Sequence, residues 1–309
     1  MTIPIIEKLP SRDNPFAQEY YAFYSSWFGG IVTDPNMMML PIDDHMVHRG
    51  DGVFEVMKSV SGAIYLLDEH LHRLFKSAES IGLQSPYDTD KIKEIIFATL
   101  HVSKQDTALI RVFLSRGPGD FTVNPYDSVG AQLYVVITKL KPPAPEKYTK
   151  GVVIGKSLYP AKPPWMAKIK SCNYLLNVLM KKEAVDRHLD YVIGTDEAGN
   201  LTESATENLL ILDQDGKIIH PEFDGILKGT TMLRACELAT ENGMLTIVRS
   251  ISLTDLLAAS EVLITGTSLD VLPVVKFEDA PIGSGQPGPI AQKLNALMQH
   301  DIANYKNIK

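Results

Sequence analysis

The alternation of apolar and polar positions divides the chain into short strands and helices of ordinary length. Residues 1–18, with Pro4, Pro10 and Pro15, read as an arm laid on the surface, and 20–23 and 30–33 as short strands. Residues 41–52 form a glycine-bounded loop. Val53 to Val60 alternates as a half-buried strand does, and Ser61-Gly62 turns it into 63–66, which makes a hairpin. Asp68 stands where an N-cap belongs for a helix over 69–81, in which Leu71, Leu74, Phe75 and Ala78 fall at helical spacing before Gly82 as C-cap. A helix over 90–101 and strands over 109–115 and 133–138 complete a small α/β unit.

Residues 141–146 (KPPAPE) are stiff and unable to continue a sheet, so we place a linker at 141–150. It separates a small amino-terminal α/β domain, 1–140, from a larger, sheet-rich carboxy-terminal domain, 151–309. Beyond it the pattern predicts a strand over 152–154 and a helix from about Tyr174 that buries Leu175, Leu176, Leu179 and Met180. Strands follow over 191–195, 208–212 and 217–220. A helix over 232–242 closes at Gly243, and a buried strand ends in the turn Thr265-Gly266-Thr267-Ser268. A strand over 272–277, a glycine-rich turn over 283–288 and a helix from Pro289 finish the chain. The fold class is α/β (α+β), with no internal repeat.

Composition narrows the function without naming it. The 309 residues are 45% hydrophobic and 22% charged, which is plain globular material, and a net charge of −7 without a basic run excludes nucleic acid as an obvious partner. No apolar run reaches spanning length and the amino terminus lacks a basic start followed by a hydrophobic stretch, so we expect no membrane partner and a cytoplasmic location. Two cysteines, Cys172 and Cys236, are too few for a disulfide framework or a zinc site, and no metal is called for.

Candidate chemistry gathers around one lysine. Lys170, in Ile169-Lys170-Ser171-Cys172-Asn173-Tyr174, sits between the approach Lys162-Pro163-Pro164 and the helix that follows. Glu203, in Leu201-Thr202-Glu203-Ser204, lies just after a strand and a turn. Arg73 lies among apolar neighbours on the helix over 69–81. Leu227-Lys228-Gly229-Thr230-Thr231 opens a helix, where backbone amides make a ready anion site, and Gly266-Thr267-Ser268 ends a strand. Singly, each has an ordinary reading as solvated charge, cap or turn. Together they offer a lysine for an aldehyde, an acid for a ring nitrogen, and cation plus hydroxyls for a phosphate.

In these motifs and their order, from about Tyr24 to about Leu297, the chain resembles the class IV aminotransferases, the pyridoxal phosphate enzymes of fold type IV. The resemblance implies pyridoxal 5′-phosphate as cofactor, Lys170 as the Schiff-base lysine and proton carrier, and Glu203 as the acid on the pyridine nitrogen. It implies Tyr174 near the phenolic oxygen, Leu227 against one face of the ring, and Arg73, Thr230, Thr231 and Thr267 on the phosphate. It further implies a ping-pong exchange between an amino acid and a 2-oxo acid, and at least a homodimer.

The run Gly50-Asp51-Gly52-Val53-Phe54-Glu55-Val56-Met57-Lys58, with 24–26, 40–50 and 117–121, looks most like the D-amino acid transaminases of plants, which are close to the aminodeoxychorismate lyases. The resemblance therefore favours a D-amino acid transaminase. A 4-amino-4-deoxychorismate lyase releasing 4-aminobenzoate and pyruvate is second, a branched-chain L-amino acid transaminase third, and a non-enzymatic scaffold last. Bacterial D-amino acid enzymes carry a tyrosine where Phe54 stands and an Arg-x-His carboxylate trap with no counterpart after Arg116. The substrate carboxylate is left to the amides of the Gly266-Thr267-Ser268 turn, Arg116, Lys58 or His48.

Overall fold

A computed structural model describes residues 14–307, and its strands divide between two sheets. The surface arm expected over 1–18 falls outside the described residues up to Asp13. The first sheet holds β1 (Tyr20–Ser25), β2 (Gly30–Val32), β3 (Gly52–Val60), β4 (Ala63–Ile64), β5 (Ala108–Ser115) and β6 (Gln132–Thr138), in the order β2-β1-β6-β5-β3-β4 with every pair antiparallel. With it go α1 (His45–Arg49), α2 (Leu67–Ser80) and α3 (Thr89–Ser103). Val53, Met57, Ile110 and Val112, at the strands' period of two, meet Leu71, Leu74, Ile92 and Ile96 at the helices' longer period, and all are buried in one core.

The ends of α2 differ in how the sequence writes them. Asp68 is not its N-cap: the helix starts at Leu67, and Leu66, in the left-handed region, caps it without a side-chain bond. The short β4 and its turn deliver the chain into the helix earlier than the cap rule expects, so the Asp68 carboxylate pairs instead with Lys93. At the other end Gly82, at φ 60°, closes the helix as expected, with its amide bonded to Glu79 O and that of Leu83 to Ala78 O.

The second sheet contains β7 (Val152–Lys156), β8 (Tyr191–Ile193), β9 (Asn208–Leu212), β10 (Ile218–His220), β11 (Thr246–Val248), β12 (Glu261–Gly266), β13 (Asp270–Phe277) and β14 (Ala280–Pro281). Its order is β11-β10-β9-β12-β13-β7-β8, with β14 on β13. The helices are α4 (Pro145–Lys150), α5 (Pro164–Ala167), α6 (Leu175–Asp186), α7 (Thr230–Glu241), α8 (Leu253–Leu257) and α9 (Pro289–Asn304). The expected linker is thus part helix, because Pro145 is preorganised for a first helical turn. Among the described residues no strand of the first sheet follows Thr138 and none of the second precedes Val152, on which we propose the domain boundary within 141–150. Among the described residues no helix is long and apolar enough to cross a membrane.

Helix α6 overturns its apolar pattern. Of the four residues expected inside, only Met180 is buried, and Leu175 is 66% exposed. The inward positions include Asn177 and Glu183, which are needed by the backbone beneath: Asn177 donates to Ala205 O, and Glu183 accepts from Ser157 Oγ and Leu158 N. Hydrogen-bond demand from buried chain outweighs apolar periodicity here.

The two sheets are joined by a buried ion pair. Lys58 on β3 meets Asp270 at the start of β13 at 2.5 Å, with Gln299 donating to the other carboxylate oxygen at 2.9 Å. Thr267, in the turn before β13, donates to Val56 O on β3. Removing one partner leaves a buried charge uncompensated, at a cost of about 3–5 kcal/mol. Lys58→Met should therefore lower the urea midpoint strongly, and adding Asp270→Asn, which tolerates the left-handed backbone there, should recover most of the loss.

Candidate active site

Strand β3 also holds Lys170. The lysine's segment lies beside it as a stretch of antiparallel ladder, with Phe54 N donating to Lys170 O at 2.9 Å, Cys172 N to Gly52 O at 2.8 Å, and a bridge between Val53 and Ser171. Ser77 of α2 takes the Lys170 amide at 3.2 Å. The side-chain amine lies 4.9 Å from the centre of the Phe54 ring. Burial first, then the neighbouring Arg73, lower the lysine to about 8, against the opposing pull of Glu55 and Glu203. Cys172 beside it is inert by comparison, since burial pushes its thiol up to about 12.

Glu203 lies at the mouth of a tight turn closed by the Ser204 amide on Glu207 O and by a bridge between Glu203 and Asn208. Its carboxylate accepts from Leu227 N at 2.9 Å and from Asn208 Nδ2 at 3.4 Å. Burial raises it to about 7, although the Leu227 amide, Lys162, Lys170 and Arg73 all favour the charged form. Asn208 also donates to Leu227 O at 2.9 Å, and a Cβ on Gly229 would lie 1.9 Å from Asn208 Oδ1, so only glycine lets the loop before α7 come this close. Lys162, Lys170, Tyr174, Glu203 and Leu227 line one small pocket. Tyr174 caps α6, with its ring edge against Phe54 at 5.1 Å and the Lys162 amine 5.1 Å from its centre.

A larger cleft, about 810 Å³, is bounded by Arg73, Leu227, Lys228 and Thr230, so Leu227 is common to both spaces. Helix α7 starts at Thr230, earlier than the pattern predicted, which puts Thr230 and Thr231 in its first turn, where amides have no intrahelical acceptor. Arg73 grips Glu55 with Nε and Nη2 at 2.7 Å each and donates from Nη1 to Lys228 O at 2.7 Å. Glu55 also receives His70 Nδ1 at 2.7 Å, and His70 Nε2 lies 3.2 Å from Thr230 Oγ1.

Of three residues weighed for the substrate carboxylate, Lys58 and Arg116 are committed elsewhere, and His48 keeps one ring nitrogen, Nδ1, buried without a partner among the described residues. Lys58 pairs with Asp270. Arg116 forks onto Asp51 at 2.9 and 3.0 Å and donates to Ile81 O and Gly82 O at the end of α2. His48 faces Asp43 O and the Phe121 ring. In the Gly266-Thr267-Ser268 turn, the amides of Thr267 and Ser268 have no acceptor among the described residues. Sequence reading missed Glu55, His70 and Asn208, and named Lys162 only as part of a proline-rich approach. Glu55 did leave a signal, a carboxylate among apolar neighbours of an alternating strand, and His70 stands one helical turn before Arg73.

The comparisons with known proteins agree with this geometry. The sequence profile of the amino-transferase class IV family matches residues 52–277. A D-amino-acid transaminase, chloroplastic, of Arabidopsis thaliana is 36% identical over 295 residues, 92% of this chain and 77% of that protein. A T.th. branched-chain amino acid aminotransferase, solved with pyridoxamine 5′-phosphate, superposes with a TM-score of 0.87 at 26% identity, covering 93% of this chain and 96% of that one. The fold is shared with the 4-amino-4-deoxychorismate lyase of Pseudomonas aeruginosa, at a TM-score of 0.75 and 22% identity over 85% of this chain and 95% of that one. Pyridoxal 5′-phosphate fits the donor set: a lysine for its aldehyde, an acid with acceptor capacity for its ring nitrogen, and guanidinium, hydroxyls and first-turn amides for its phosphate.

Two pH effects follow for the cofactor-free protein. Only the neutral amine is a nucleophile, so borohydride-trapped capture of an aldehyde by Lys170 should rise with pH through about 8 and level off above it. Glu203 is raised from 4.5 to about 7 by burial, so the stability it contributes is present below pH 4.5 and lost as pH rises through 7. Glu203→Gln should flatten the fall in melting temperature across that window; an unchanged slope would show that the acid is not desolvated.

Proposed function

The chain belongs to the class IV aminotransferases, and from that premise we propose that it moves an amino group between a D-amino acid and a 2-oxo acid. The observation that carries the reading is the pocket shared by Lys170, Tyr174, Glu203 and Leu227, whose lining includes both an amine and an acid. The D-amino acid preference is supported by the 36% identical relative named a D-amino-acid transaminase.

When bound, pyridoxal 5′-phosphate supplies an aldehyde for the amine and a ring that accepts the electron pair left when the Cα proton departs. In this proposal Lys170 would hold the cofactor's aldehyde, and its amine, of lowered basicity, would take up and return the Cα proton at neutral pH. Glu203, when ionised, would favour the protonated ring nitrogen, and the Leu227 amide fixes one of its carboxylate oxygens. Arg73, Thr230 and Thr231, with the turn at Thr267, would hold the phosphate. Leu227 would pack on the ring face and Tyr174 would stand near the phenolic oxygen. The Thr267 and Ser268 amides take the substrate carboxylate, with Gly266 giving the turn and Phe54 walling the pocket.

We also propose a homodimer, supported by exposed Trp27, Phe28, Phe121, Val123, Tyr126 and Val129, and a cytoplasmic location, supported by two free cysteines, Cys172 and Cys236.

The deciding experiment is an absorbance titration of the loaded enzyme with D-alanine, L-alanine, L-leucine and aminodeoxychorismate in separate cuvettes. D-Alanine alone should convert the cofactor to its amine form, and a 2-oxo acid should restore it. Response to L-leucine would overturn the stereochemistry in favour of a branched-chain enzyme. Pyruvate release from aminodeoxychorismate with no net change in cofactor would overturn the transaminase reading altogether. Lys170→Ala should abolish turnover even with added cofactor.

A further inference from the structure

Glu55 and His70 are buried to 0% and 2% exposure behind the cradle formed by Arg73 and Thr230, and no role above uses them. Burial alone would raise Glu55, but the Arg73 fork and His70 hold it well below the usual carboxylate range. It is therefore always an acceptor, and His70 Nδ1, 2.7 Å away, carries a proton toward it. That fixes the tautomer. The other ring nitrogen, Nε2, faces Thr230 Oγ1 at 3.2 Å.

A threonine hydroxyl has one proton to give. While Nε2 is bare, the Thr230 proton lies on the line to His70, and the hydroxyl turns only lone pairs toward the cradle. A dianionic phosphate is itself all acceptor, so in that state Thr230 opposes it. Once Nε2 carries its own proton, it donates to Thr230 Oγ1 and the hydroxyl proton is free to point at the anion. We propose that Glu55, His70 and Thr230 form a proton-coupled latch: seating a dianion between Arg73 and Thr230 places a proton on His70 Nε2 and turns the Thr230 hydroxyl to the anion.

The charges around His70 pull both ways, with a net bias against the imidazolium before an anion arrives. Burial, with Arg73 on its own helix and Lys170 from the segment beside β3, disfavours the imidazolium, while Glu55 on β3 favours it. Thr230, from α7, is the neutral contact, and a dianion arriving on its far side adds negative charge. His70 would thus be a positioning residue that acts on the cofactor through Thr230. The inference rests on the reading that Arg73 and Thr230 hold the cofactor's phosphate.

The test uses the cofactor-free full chain labelled with ¹⁵N-histidine, and sulfate, a dianion with no proton to exchange near neutrality. His70 is identified by the signal lost in His70→Gln. At pH 8 its Nε2 should move from the unprotonated to the protonated shift as sulfate saturates, and sulfate affinity should rise up to tenfold for each pH unit below that. Thr230→Val, a near-isosteric change, should bind sulfate more weakly and with a flatter pH dependence. Sulfate that binds and is displaced by pyridoxal 5′-phosphate while Nε2 stays bare would overturn the latch and leave the phosphate-site reading standing. Sulfate that pyridoxal 5′-phosphate does not displace would overturn both.

Discussion

The short ladder between β3 and the segment from Lys170 to Cys172 is the contact on which the rest of the site depends. It joins the strand that carries Phe54, Glu55 and Lys58 to a loop from the other sheet, and it does so through backbone atoms, so the side chains on both sides are left free for chemistry. The lysine gains a fixed origin. Its amine can then be desolvated against Phe54 without the loop drifting, and desolvation is what brings its basicity down.

Two acids near the lysine, Glu55 fully buried and Glu203 partly so, show how much partners matter. Glu55 meets two guanidinium nitrogens and an imidazole and stays ionised throughout, whereas Glu203 has one short amide contact and a long one from Asn208, and its proton affinity climbs toward neutrality. One carboxylate is a fixed charge and the other an adjustable one. The fixed charge stands behind the anion cradle, and the adjustable charge faces the small pocket with Lys170. This division gives each the property its place requires.

Much of this was legible in the chain. The alternation over β3, the helical spacing in α2 and the Gly82 stop are local rules that nothing overrides, and Lys170, Glu203 and Leu227 do line one pocket. What could not be read depends on residues far apart. Lys58 looked like a free cation for substrate because Asp270, its partner, lies more than two hundred positions away in sequence. Arg116 was open to the same reading until the end of α2 was placed against it. On α6, the inward Asn177 and Glu183 answer to carbonyls and amides of other segments, which no periodicity encodes. His70 and Glu55 left only faint signals for a similar reason, since their pairing shows itself once Arg73 and Thr230 are set beside them.

Strand β3 has a consequence for how such a site can change over evolutionary time. Successive residues on it point to opposite sides, so Phe54 faces the lysine while Glu55 faces the guanidinium and imidazole, and Lys58 reaches across to the second sheet. A single inserted or deleted codon within it would exchange these duties all at once. The strand is therefore closed to length variation, and new substrate preferences are left to point substitutions on it or to the loops at its rim, such as the one that follows β5, where residues can be gained or lost without disturbing its parity.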